Sequence, residues 1–128
     1  MDVQKFHDGH FDGIQLEADK NAHIFLRTAN KKRYILVLKG VQALILSGVK
    51  AGNIILDLVI RTAREATSTD VQELYDLDKD AEQAAKLLQS TREKKLQILE
   101  LNPSYGASGL FLFENFEIIE AGGALKDK

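Results

Sequence analysis

Apolar and polar positions alternate with period two through most of the first half of the chain. Ile14, Leu16 and Ala18 fall on one side, with Gln15 and Glu17 on the other, the pattern of a half-buried strand. Ala22–Arg27 and Arg33–Lys39 repeat it, and Ala29–Lys32 between them is polar and turn-forming. The second run is β-branched, aromatic and short, which favours strand over helix. Gly40 interrupts it, and residues 41–46 resume it. Gly48, Gly52 and Asn53 mark an irregular turn before Ile54–Ile60, which is apolar on both faces except at Asp57. Such a strand is central in its sheet or covered by a helix.

The period then changes. Leu74, Leu77, Ala81, Ala84, Ala85 and Leu88 recur at three- and four-residue steps, predicting a helix over about 70–94, or one broken near Asp76–Asp80. Thr69 is the expected N-cap, with Gln72 in capping-box position. Residues 96–101 return to strand character. Asn102–Gly106 is expected to be a turn around Pro103, with Asn102 extended, and 109–119 a last strand. Phe111, Phe113 and Phe116 there are expected in the core. Five strands, one helical segment and two strands predict an α+β domain. Its form is a mainly antiparallel, strongly curved sheet or open barrel of about seven strands, with segment 70–94 inserted before the last two. One domain is expected over 1–128, with 122–128 as a frayed tail.

Composition narrows the function classes. The 128 residues contain no cysteine, which excludes disulfides, zinc–thiolate sites and cysteine nucleophiles. The N-terminus has no apolar run of a signal peptide, and no stretch nears the ~20 apolar residues of a membrane span. A cytoplasmic protein is expected, without membrane association. The net charge of −2 is unevenly distributed. Residues 65–82 hold Glu65, Asp70, Glu73, Asp76, Asp78, Asp80 and Glu82 against Lys79 alone. A chain without a basic field is a poor nucleic-acid binder, and Lys31-Lys32-Arg33 at a hairpin tip does not change that.

Several residues could carry chemistry. His7, Asp8, His10 and Asp12 lie within six residues and are weak candidates for a metal site. His7 and His10 are also weak candidates for acid–base work. The Asp-Gly pairs at 8–9 and 12–13 make turns before the first strand the stronger expectation. His23 is expected to be a satisfied strand side chain. Asp57 is a candidate buried acid if its register turns it inward. Asp76, Asp78 and Asp80 imitate the opening of a calcium loop, but Ala81 and Leu87 stand where it needs Gly and Glu. They are better read, with Glu73, as an acidic helix face for a basic partner. Ser104–Gly109 lacks the nucleophile-elbow spacing. No cofactor is expected.

Four short motifs carry a loose resemblance: F-H-D-G at Phe6–Gly9, G-V at Gly40-Val41, G-N-I-I at Gly52–Ile55 and S-Y-G-A at Ser104–Ala107. Together they resemble small uncharacterised bacterial β-rich proteins, some of them immunity proteins of toxin–antitoxin-like competition systems. The resemblance implies a cytoplasmic binding protein rather than an enzyme, and no catalytic residue carries over. Three functions follow in order of expectation. The first is a protein-binding module, such as an immunity-like inhibitor, using the acidic helix. The second is a small-ligand or catalytic domain with a pocket in the curved sheet, Asp57 joining one of the histidines. The third is a homo-oligomer pairing its strand edges.

Overall fold

The computed structural model describes residues 3–77 and 80–121. Asp78 and the tail 122–128 therefore lie outside the described residues. The strands are β1 (His10–Leu16), β2 (Ala22–Arg27), β3 (Arg33–Lys39), β4 (Ala43–Ser47), β5 (Asn53–Arg61), β6 (Gln97–Tyr105), β7 (Ser108–Phe113) and β8 (Asn115–Glu120). Helices α1 (Ser68–Tyr75) and α2 (Ala81–Glu93) lie between β5 and β6. All eight strands form one antiparallel sheet in the order β4-β7-β6-β5-β1-β2-β3-β8.

The chain connections show how far this sheet bends. Only Glu114 separates β7 from β8, yet they stand second and last in the sheet. Residues 40–42 alone separate β3 from β4, which stand seventh and first. The sheet must curl back for such short links to reach. Its end strands β4 and β8 do not pair with each other, so it stays open. The main core fills the concave side: Phe11 from β1, Leu26 from β2, Leu36 and Leu38 from β3, Leu99 and Leu101 from β6, Phe111 and Phe113 from β7. Phe6, from a short 3-10 turn ahead of β1, is fully buried and meets Tyr34 edge-to-face at 5.5 Å. Alternate residues Ile98, Leu110 and Leu112 point out of the convex side, where Ala66 and Leu74 cover them in a second, smaller core.

Three sequence expectations need correction. The 109–119 run is two strands, because its first half pairs with β6 and β4 and its second half with β3. That change of partner supplies the eighth strand. The second Asp-Gly pair is not a turn before the first strand: Asp12 and Gly13 lie inside β1, at a register shift between Phe11 and Gly13. Pro103 does not make a turn, since β6 continues through it opposite Ile55 at an irregularity of the β5–β6 ladder. The helical segment takes the broken form of the two that the sequence offered, as two helices parted at 76–80. Asp76 ends α1 in the left-handed region at φ 53°, and Asp80 caps α2 by accepting from the Gln83 N–H at 3.0 Å. Aspartate suits both positions because its short side chain competes for nearby backbone groups.

Thr67, not Thr69, starts α1. Its hydroxyl accepts the Asp70 N–H at 3.2 Å, and the Asp70 carboxylate accepts the Thr67 N–H at 2.8 Å. Asp70 replaces the usual Glu or Gln because it is also held by Arg61, described below. Thr67→Ala is expected to cost about 1 kcal/mol, the usual loss of an N-cap. A lower urea midpoint at unchanged slope would report it.

Candidate functional site

The convex face of β5 and β6 carries the densest polar arrangement among the described residues. Arg61, at the end of β5, is its centre. The guanidinium donates to both Asp70 oxygens, at 2.7 and 2.8 Å, and to the Glu65 carbonyl at 3.1 Å. Its Nε donates to Glu100 on β6. Asn102, two residues along the same face from Glu100, donates to Asp57 at 2.8 Å and to Glu100 at 3.3 Å. The chain of contacts thus runs from Asp57 through Asn102, Glu100 and Arg61 to Asp70, and ties α1 to two strands. A planar fork fits this task, since it binds one carboxylate in bidentate fashion and has a donor left for another.

Charge states follow from the contacts. Burial alone works against the Asp70 carboxylate, but the Arg61 fork and the Thr67 N–H outweigh it and hold its pKa below the ordinary value. The Asp70 hydrogen bonds raise Arg61 in turn against the cost of burial, and Glu100 adds to the effect. Glu65 is lowered by hydrogen bonds from the Thr62 backbone and hydroxyl. Burial raises the pKa of the Tyr75 hydroxyl.

Beside this network opens a notch of about 280 Å³. Its charged lining is Asp70, Glu73, Glu100 and Arg61, and its neutral polar lining includes Asn102 and Ser108. Three carboxylates therefore face one guanidinium, and the notch is net negative. Glu73 is exposed and makes no ion pair among the described residues. Its net negative charge would favour a cationic or hydrogen-bond-donating group.

At its other end the same face becomes apolar. Ile54 of β5 stands opposite Tyr105 of β6, and they are 38% and 55% exposed. Leu56 follows at 45%. The ladder shifts register between Ile55 and Asp57, and Ile55 and Leu58 are both buried. A bulge here leaves the consecutive side chains of Leu56 and Asp57 away from the core, a device that re-aims side chains. This answers the question of Asp57: half-buried on the convex face, it is paired with Asn102 rather than sunk in the core.

The four N-terminal candidates do not converge. His7 donates from Nδ1 to the Leu56 carbonyl and lies 3.7 Å from Asp8. Asp8 takes the left-handed turn position at φ 63°. His10 is a strand residue between Arg27 and Ile54, and its buried Nδ1 has no hydrogen-bond partner among the described residues. Asp12 is occupied by Arg27, at 2.6 and 2.9 Å. Among the described residues no three metal-ligating side chains gather. His23 approaches Glu17 at 3.9 Å, and none of the three histidines hydrogen-bonds or ion-pairs with Asp57. Of the acidic face, Glu73 reaches the notch, while exposed Asp76 and Asp80 delimit the helices.

Three of the four turn motifs do meet, for structural reasons. The Asp8 N–H donates to the Ile55 carbonyl and the Ile55 N–H to the Gly9 carbonyl, both at 2.9 Å. Asn53 accepts the Ala107 N–H at 3.0 Å. Gly106 packs so closely on Asn53 that a Cβ there would fall 2.3 Å from its side-chain oxygen. These motifs lock one end of the sheet. Arg61, Asp70, Glu100 and Asn102 were not singled out as site residues from sequence. The available signal was weak: period two places Glu100 with Asn102, and Asp57 with Arg61. Compared with protein-family models, curated proteins and solved structures, the chain matches none of them.

Proposed function

We propose that this chain is a small cytoplasmic protein-binding module, an immunity-like inhibitor being one form of it, that meets a basic partner through the acidic side of α1. The observation that carries this reading is the notch, where Asp70, Glu73 and Glu100 line a space with a single guanidinium, and the exposed Glu73 has no ion pair among the described residues. Complementary charge steers encounter and selects partners. The cytoplasmic placement rests on the cysteine-free composition. Among the described residues no helix is long and apolar enough to cross a membrane.

The test is capture from cell lysate at low and high salt, beside a variant carrying Glu73→Gln, Asp76→Asn and Asp80→Asn. Asparagine preserves the cap at Asp80 and tolerates the left-handed turn at Asp76. One basic protein should be retained at low salt and released at high salt, since exposed charges are screened. The variant should retain about tenfold less, a loss of about 1.4 kcal/mol. Equal capture by parent and variant at both salts would sink the acidic-surface reading.

A further inference from the structure

Of the seven large hydrophobic side chains left exposed among the described residues, Ile54, Leu56 and Tyr105 lie together on β5 and β6. Val49, 55% exposed, lies on the loop that Asn53 pins at the same end through Lys50. Scattered exposed hydrophobics are ordinary, whereas a cluster marks a contact surface. This cluster borders Asp57 and Asn102, which lead to Glu100 and the notch. An exposed tyrosine in such a setting is a typical interface anchor, because it offers a large rigid area with a polar tip.

We infer that the convex face of β5–β6 is a docking strip for an extended polypeptide segment of the partner. Apolar residues of that segment lie on Ile54, Leu56 and Tyr105, and a Lys or Arg further along enters the notch. The inference rests on the protein-binding reading and adds the chemistry of the partner. Charge complementarity selects this occupant: the strip is apolar at one end and net negative at the other, so its ligand is apolar and then basic. Along β6, Tyr105 lies three residues from Asn102 and five from Glu100. At about 3.3 Å per residue this separates the two ends by roughly 10–17 Å. An extended ligand therefore carries its cation three to five residues from its apolar anchor.

The probe is a synthetic peptide with two leucines followed, four residues on, by two arginines in a serine background. Two control peptides replace the leucines by serine or the arginines by glutamine. Titration into the full chain is followed by amide chemical shifts. The parent peptide should shift both ends, Ile54–Leu56 with Tyr105 and Glu100 with Asn102. Each control should bind at least about tenfold more weakly. Leu56→Ser and Tyr105→Ser alter exposed side chains, so the folded spectrum should persist while peptide affinity drops by about tenfold. Shifts confined to Glu73–Asp76 would overturn the strip and leave the acidic-surface reading standing. No shift at low salt would also overturn the strip, while lysate capture tests the broader reading independently. Undiminished affinity in both serine variants would remove the apolar anchor and the proposal with it.

Discussion

Asn53→Ala is expected to lower stability by about 3 kcal/mol, since it strands two buried and two part-buried backbone groups at once. Asn53 is buried at the start of β5. Its side-chain oxygen accepts the N–H groups of Lys50 at 2.7 Å and Ala107 at 3.0 Å. Its amide donates to the carbonyls of Lys50 at 2.9 Å and Phe11 at 3.4 Å. One side chain thus fastens the 48–52 loop, the β6–β7 turn and β1. The location magnifies the loss. β1 and β5 pair only through His10–Ile54 and Phe11–Asn53, and this short seam joins the two halves of the sheet. Alanine leaves the buried Ala107 amide without its acceptor. Asn53→Asp keeps both acceptor functions but sets a carboxylate against two carbonyls, so a comparable loss is expected at neutral pH. Urea denaturation measures both variants. A loss below about 1 kcal/mol for alanine would mean that water replaces the clamp.

Arg61→Met is the second large effect, also about 3 kcal/mol, because it leaves the Asp70 carboxylate buried without its cation. Methionine keeps most of the apolar stem, so the loss reports charge and hydrogen bonding more than volume. Asp70 is 8% exposed and Arg61 is its only cationic partner among the described residues. Adding Asp70→Asn should recover part of the loss, since it removes the stranded charge. The pH dependence has a definite sign. A carboxyl whose folded pKa is depressed contributes stability above its unfolded value, and loses it as pH falls toward the folded one. Asp70 is depressed through Arg61 and Thr67. The gap between parent and Arg61→Met should therefore be widest at neutral pH and shrink as pH falls below the ordinary aspartate range, about 3.9. Urea midpoints across that range measure it. A gap constant down to about pH 3 would show that Arg61 acts through packing rather than through Asp70.

Much of the fold was legible in local patterns because those patterns reflect local physics. Alternation at 22–27 and 33–39 announces strands that need one buried face, and both occur at those positions. The change of period near residue 70 announces the helical segment, which begins at Ser68. Phe111 and Phe113, predicted core, are fully buried. What local pattern could not resolve were events with a distant partner. Nothing in 109–119 signals that its two halves join opposite ends of the sheet. Pro103 reads as a turn, yet the irregular ladder opposite Ile55 accommodates it within a strand. Asp12 and Gly13 read as a turn for the same reason, because the shift in the β1–β2 register is invisible without β2. The acidic run announced a charged surface, but its charges separate in space. Asp70 turns to Arg61, Asp76 and Asp80 go to helix ends, and Glu73 goes to the notch.

The sequence by itself determined the class of this protein: antiparallel strands around one helical segment, no thiol chemistry, and a charge excess near the helices. Periodicity, turn residues and composition are properties of neighbours in the chain, and they need no tertiary partner to be read. Only the tertiary structure decided which residues share a surface. Arg61 meets Glu100 at a sequence separation of 39, and Asn102 meets Asp57 at one of 45, because β5 and β6 pair around the helical insert. The bulge at Leu56 then leaves a leucine and a carboxylate together on the convex face. Strand pairing depends on long-range packing and register, and one residue of slip reverses every facing side chain.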